Sequence, residues 1–345
     1  MCSIRQFIIV YMIYFEGVNF TAKEHFIHFV ENKGIAMQRR YLDCSASEIV
    51  KLNKKNLLES IKASEGRILV SETIGTIQPV LMTVTNAELA ASQGADILLL
   101  NVFDVNQPIM QGLPEGVEPE EIIRTLKHLT GRAIGVNLEP VPEGFNNPTQ
   151  DAQWKMSEGR LATVKNALKL KEMGADIIVL TGNPGNGVTN QEINQSLKEL
   201  KAVVGEDIVL ITGKMHAAGV LNASAEQLIT DDDIRTFINN GADIILLPAP
   251  GTVPGISLEF VQKMVGYCHS QGVMTMTAIG TSQEGADLQT IRQIALMCKM
   301  AGTDLHHIGD SGYNGIALPE NILNYSIVIR GVRHTYSRIA RSVNR

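Results

Sequence analysis

At 345 residues, 44% of them hydrophobic and 5% aromatic, the chain can bury a large core in a single domain and needs no second one. Its net charge of −6 gives no general attraction to nucleic acid or to an anionic membrane. Cys2, Cys44, Cys268 and Cys298 are scattered without paired spacing, which disfavours a disulfide framework or a zinc site and fits reduced thiols in the cytoplasm.

Residues 1–36 form no part of the later pattern and read as an extension outside the main domain, 37–345, with Met37 as the functional start. The apolar stretch Phe7 to Phe15 within them is too short to span a bilayer and no small-residue cleavage site follows, which leaves a weak signal sequence or an interfacial anchor as the alternative. Next, Ser45 offers an N-cap with Glu48 three residues on. Ile49, Leu52, Leu57, Leu58 and Ile61 then supply the apolar stripe of one leading helix.

A phrase then returns four times: Gly94-Ala95-Asp96-Ile97, Gly174-Ala175-Asp176-Ile177, Gly241-Ala242-Asp243-Ile244 and Gly302-Thr303-Asp304-Leu305. Each copy closes a helical stretch and opens an apolar strand, and each interval leaves room for one more strand. The intervening strands are Arg67 to Glu72, Arg132 to Asn137, Asp207 to Thr212 and Val273 to Ala278. Helical patterns cover Ser157 to Met173, Gln191 to Val203, Leu258 to Ser270 and Leu288 to Met300. Short, nearly continuous apolar strands alternating with helices predict a (β/α)8 TIM barrel, an α/β fold plugged at the bottom by the leading helix, with an N-terminal helical extension.

Function in such a barrel belongs to the carboxyl ends of the strands. Following side-chain alternation outward brings polar groups to the mouth: Glu72, Asn101, Asn137 with Glu139, Thr181 with Asn183, and Thr212 with Lys214 and His216. Thr275, Thr277 and one of His306 and His307 follow. Gathering so many unpaired polar groups costs about 1–3 kcal/mol each without a ligand, so a polar small molecule is the expected partner. Lys214 is placed to hold a carboxylate or a developing enolate, with a Schiff base as the covalent variant. His216 or Glu139 would then move the proton. A purely structural role for Lys214 would pair it with Glu139 or Glu72.

Two glycine-rich loops after the last strands, with Gly280, Thr281 and Ser282 in one and Gly309, Asp310, Ser311 and Gly312 in the other, suit an anion bound on backbone N–H groups. Glu284 and Asp310 oppose that reading and leave a metal or a hydroxylated ligand as alternatives. Zinc motifs are missing; Glu72, Asp104, Glu139 and Glu284 offer oxygen ligands for Mg2+, with Glu72 and Glu139 the first candidates. Arg330, Arg333, Arg338, Arg341 and Arg345 crowd the last helix. With few aromatic residues for base stacking, they read as a solvated face or a homo-oligomer contact, with Arg330 or Arg333 within reach of an anionic substrate.

From Met37 to Arg345 the chain resembles an uncharacterised bacterial family of (β/α)8 proteins loosely labelled phosphoenolpyruvate phosphonomutase-like or haloacid dehalogenase-like hydrolase. Ala63 to Arg67, Gly135 to Pro140, Leu180 to Gly185, Gly213 to His216, Ala278 to Gly285 and His307 to Asp310 carry the resemblance. The phosphonomutase group's clustered magnesium motif and its Lys-Lys-Cys-Gly-His loop are missing, so that chemistry does not transfer. A dehalogenase nucleophile is absent too, because Asp231-Asp232-Asp233 reads as a helix start.

The expectation is an enzyme that acts on a small anionic metabolite, phosphorylated or carboxylated, by lyase, aldolase or isomerase chemistry through an enolate or carbanion. A hydrolase with Glu72 or Glu139 activating water through a metal is the runner-up. A non-catalytic metabolite sensor is the alternative from another class.

Overall fold

A computed structural model describes residues 39–142, 156–182, 187–215, 225–280 and 282–345; the extension 1–36 lies outside them. Eight parallel strands pair in sequence order: β1 (Ile68–Ile74), β2 (Ile97–Asn101), β3 (Ala133–Leu138), β4 (Ile177–Leu180), β5 (Val209–Gly213), β6 (Ile244–Pro248), β7 (Met274–Ile279) and β8 (Leu305–Ile308). β8 returns to β1, so the sheet is closed. The helices are α1 (Ala46–Ile49), α2 (Lys54–Lys62), α3 (Asn86–Ser92), α4 (Ile122–Thr130), α5 (Val164–Met173), α6 (Asn190–Val204), α7 (Ala225–Leu228), α8 (Asp231–Asn239), α9 (Leu258–Ser270), α10 (Leu288–Ala301) and α11 (Pro319–Ile339). This is the expected (β/α)8 barrel.

Two predicted helices change shape. The single leading helix is broken into α1 and α2, because Asn53 caps the second by accepting a hydrogen bond from the Asn56 N–H. The pattern from Ser157 begins as a 3-10 turn at Glu158–Arg160, and the helix starts only after Thr163, whose hydroxyl accepts from the Asn166 N–H.

Alternation along the strands divides the core in two. Ile68, Val70, Ile97, Leu99, Ile177, Val179, Val209, Ile211, Ile244, Leu246, Met276 and Leu305 fill the barrel, and Tyr41, Leu42, Ile49, Leu57 and Ile61 seal its bottom. The intervening residues, such as Leu98, Val136, Ile178, Leu210 and Leu247, join the helical layer outside.

The repeated phrase is a clamp between neighbouring strands. Each glycine takes a left-handed φ, between 88° at Gly302 and 101° at Gly241, which a side chain would resist. Each aspartate carboxylate then accepts the backbone N–H of the preceding strand: Leu69 to Asp96 at 2.9 Å, Ile134 to Asp176 at 2.9 Å, Leu210 to Asp243 at 2.8 Å and Thr275 to Asp304 at 2.8 Å. The aspartate N–H donates back to the carbonyl of that same residue in all four.

A basic side chain completes each clamp: Lys127 lies 2.8 Å from Asp176, Lys54 2.6 Å from Asp243 and His269 2.8 Å from Asp304. Asp96 is fully buried between two guanidinium groups, with Arg338 at 2.9 Å and Arg330 in a shorter contact. The C-terminal arginines therefore differ from their sequence reading: Arg330 and Arg338 are buried at the barrel bottom, far in the fold from any anion site at the mouth. The Tyr41 hydroxyl donates to the Asp96 carbonyl at 2.8 Å, so the plug joins the same cluster.

Asp96→Ala strands two buried guanidinium groups and is expected to cost about 3–5 kcal/mol. His269→Ala removes a half-exposed partner and is expected to cost less than about 1 kcal/mol. Urea unfolding of both variants checks the ranking, and equal losses would refute it.

Candidate functional site

At the mouth the inward phase of the strands turns polar. Val70 is followed on its face by Glu72, Leu99 by Asn101, Gly135 by Asn137, Val179 by Thr181 and Leu305 by His307. All are buried except Asn101, which is half-buried. His307 Nε2 lies 3.5 Å from Glu72 Oε2. Asn101 Nδ2 donates to Asp310 Oδ2 at 2.8 Å, and Asn137 Nδ2 donates to Asn101 Oδ1 at 3.2 Å.

The loops after β7 and β8 add two more carboxyl groups. Glu284 Oε1 accepts the Ser311 N–H at 2.9 Å, and Asp310 Oδ1 accepts the Gly312 N–H at 2.8 Å. Asn321, near the start of α11, donates to the Glu284 and Ala286 carbonyls at 2.8 and 2.9 Å and anchors the β7 loop. A Cβ on Gly309 would come within 3.0 Å of the Ile279 carbonyl oxygen and 3.2 Å of Glu284 Cδ, so glycine is what lets Glu284 lie so close.

Backbone strain collects at the same end. Val102, Ser282 and Ser311, in the loops after β2, β7 and β8, have φ of 55°, 67° and 53°. For a β-branched residue such as Val102 that is a costly conformation.

Burial and like charge set the ionisation of the cluster. Burial, then the Glu72 charge, pushes the Asp310 carboxyl up to about 7, with a further contribution from Glu284. Burial likewise pushes Glu284 up, helped by Glu72 and opposed by hydrogen bonds and by His307. Several buried polar atoms have no protein partner: His307 Nδ1, Glu284 Oε2 and Thr181 Oγ1.

The sequence expectations divide on this geometry. Glu72, Asn101, Asn137, Thr181, His307 and Asp310 come together as the alternation implied. Glu139 does not join them as a free base, because buried Arg160 from the 3-10 turn before α5 holds it in an ion pair. Arg160 is a site residue that sequence reasoning missed, and only the parallel bridge of Glu139 to Leu161 brings it there.

Strands β5 and β7 are out of phase with their predictions. Val209 and Ile211 fill the barrel, so Thr212 points to the helical layer, as do Thr275 and Thr277. Lys214 follows that outward phase. Burial lowers its pKa, and the charge acting on it is Asp233 of α8, not Glu72 or Glu139. Met215 instead packs against the barrel interior, where Gly280 leaves room for it: a Cβ on Gly280 would meet Met215 Cε at 2.6 Å.

The expected anion subsite is changed in part. The Ser311 and Gly312 N–H groups meant for a phosphate are taken by the protein's own carboxylates, and Gly309 N–H donates to the Ile279 carbonyl at 3.0 Å. Ser282 is exposed. His216, Asn183 and Thr281 lie outside the described residues.

No three His, Cys, Asp or Glu among the described residues converge as a metal site. Glu139 is engaged by Arg160 and Glu72 faces His307, so the two candidates for Mg2+ do not share a ligand set. Cys44, Cys268 and Cys298 are free and buried. No described helix is long and apolar enough to cross a membrane.

Residues 42–345 match the family model described as Domain of unknown function (DUF7916). Among solved structures, an archaeal fructose 1,6-bisphosphate aldolase superposes with a TM-score of 0.51 at 12% identity, over 80% of this chain and 99% of that one. A thiamine phosphate pyrophosphorylase from Pyrococcus furiosus gives a TM-score of 0.43 at 14% identity, over 77% of this chain and 96% of that one. At such identities the aldolase likeness is one of fold. No curated protein matches the sequence.

The Asp310 shift carries a sign. An unfolded aspartate titrates near 3.9, so between about pH 4 and 7 the folded protein holds a proton that the unfolded chain releases. The stability this supplies is full below about pH 4 and lost as pH rises through the folded pKa, about 7. Relative to wild type, Asp310→Asn should therefore gain stability between pH 5 and pH 8, on the order of 3 kcal/mol by urea unfolding. Glu72→Gln removes a like charge and should lower the Asp310 pKa, read from its carboxyl 13C shift.

Proposed function

The chain belongs to the DUF7916 family, and we propose that it is an enzyme using acid–base chemistry on a small polar carbonyl metabolite at the C-terminal mouth of the barrel. The reaction type is that of a lyase, aldolase or isomerase, proceeding through an enolate or carbanion. The observation that carries this reading is Asp310, a buried carboxyl poised at about 7 within the cluster that also holds the Glu72–His307 pair. A carboxyl so tuned exchanges its proton near neutral pH at little cost.

In this mechanism ionised Asp310 removes the proton from the carbon next to the substrate carbonyl. The C–H electron pair moves into the carbonyl, whose oxygen becomes the enolate oxygen. His307 turns Nε2 toward Glu72, and its partnerless Nδ1 is placed to donate to that oxygen. Glu72 lies against the other ring nitrogen and helps hold the imidazole in place. Asn101 positions Asp310, and Thr181 offers its hydroxyl across the barrel.

The role expected of Lys214 thus passes to His307, and that of Glu139 to Asp310. Thiols without paired spacing remain the support for a cytoplasmic setting.

Proton abstraction can be assayed before the full reaction is known. In D2O, NMR of a panel of small aldehydes, ketones and keto acids should show enzyme-dependent loss of a C–H signal next to the carbonyl. Asp310→Asn and His307→Gln should each lower that exchange by about 100-fold or more, while Lys214→Ala leaves it close to wild type. Exchange that survives in both site variants, with folding confirmed by circular dichroism, would remove the assignment.

A further inference from the structure

The mouth carries negative charge on several elements and little to balance it. Glu72 comes from β1, Glu284 from the β7 loop and Asp310 from the β8 loop, and the basic side chain facing them is the His307 imidazole. Among the described residues no lysine or arginine forms an ion pair with any of the three: Arg160 is taken by Glu139, and Lys214 answers to Asp233. The N–H groups of Ser311 and Gly312 stabilise two of these carboxylates internally, so they are not free to receive an anion from outside.

An independent observation points to a ligand that donates hydrogen bonds. Glu284 is 3% exposed, yet its Oε2 has no partner, although a buried carboxylate oxygen strongly favours a donor. Thr181 Oγ1, just past the end of β4 and 5% exposed, is also partnerless and can accept. A protonated amine supplies three donors and one positive charge in a compact head, which suits such a ring of acceptors. A phosphate or carboxylate supplies acceptors only and adds repulsion.

We propose that the metabolite bound at this mouth carries a protonated amine, received by the partnerless Oε2 of Glu284 with the Glu72 carboxyl beside it. This inference rests on the mouth being the binding site, and it replaces the anionic substrate class expected from the glycine-rich loops. The remainder of the metabolite presents its carbonyl toward His307.

Thermal unfolding of the intact chain with matched probes tests the charge directly. Ethanolamine, putrescine and glucosamine are compared with ethylene glycol, butane-1,4-diol and glucose, and with inorganic phosphate and pyruvate. The expected result is a higher Tm with at least one amine than with its hydroxyl counterpart, reduced or lost in Glu284→Gln and in Glu72→Gln. Two variants are used so that one folding failure leaves the test intact.

Equal shifts for amine and hydroxyl partners, a shift that persists in both variants, or stabilisation by phosphate or pyruvate without any amine would each overturn the proposal. The proton-exchange assay separates the two claims. Exchange confined to carbonyl compounds lacking an amine refutes the amine and leaves the acid–base reading standing. Amine binding with no exchange does the reverse.

Discussion

The buried carboxylate of Asp96 is the interaction on which the rest of the barrel depends. It accepts the Leu69 N–H from β1, precedes β2 directly, and is flanked by Arg330 and Arg338 from α11. The Arg338 guanidinium also lies over the Tyr41 ring at 5.3 Å and donates to the Tyr41 carbonyl at 2.6 Å. One charge therefore joins the first strand pair, the plug and the last helix, which are 297 residues apart at their extremes. A buried ion pair contributes little net stability against an apolar substitute, but it penalises any arrangement that separates its members. Its value here is in specifying which ends meet.

Three weaker copies of the clamp repeat the geometry around the barrel at Asp176, Asp243 and Asp304. All lie at strand entrances, so the polar interactions that fix register are concentrated at the bottom. The mouth is left free of that duty. There the protein tolerates a left-handed valine, acceptors without donors and carboxyl groups that repel one another. Such costs persist only on a rigid scaffold, and they are the usual mark of a site shaped for a ligand.

Much of the site was legible because parallel strands with both faces buried keep a strict period of two. Counting outward from apolar interior residues located Glu72, Asn101, Asn137, Thr181 and His307. The same counting failed on β5, where both faces are apolar, and on β7, where Met and Thr alternate but the Met face, not the Thr face, fills the barrel. Thr212, Thr275 and Thr277 look like mouth residues, yet they lie against helices, where a threonine methyl packs as readily as an apolar side chain. Lys214 shared that ambiguity, and the strand ends at Gly213, so its direction depends on the loop and on Asp233.

By itself, the sequence determined the architecture and the strand entrances, because the glycine turn, the aspartate and the apolar run are local features that repeat at each unit. It also placed Asp310 and Glu284 in loops at the working end. Tertiary structure alone decided what those carboxyl groups do. The Ser311 N–H could have received an outside anion or an internal carboxylate, and only the approach of the β7 loop, which brings Glu284 to it, settles the choice. In the same way, Arg160 neutralises Glu139 across a bridge with no sequence signal, while no described lysine or arginine pairs with Glu72. Ionisation depends on distances between distant residues and on exclusion of water, and neither is written in the local pattern of the chain.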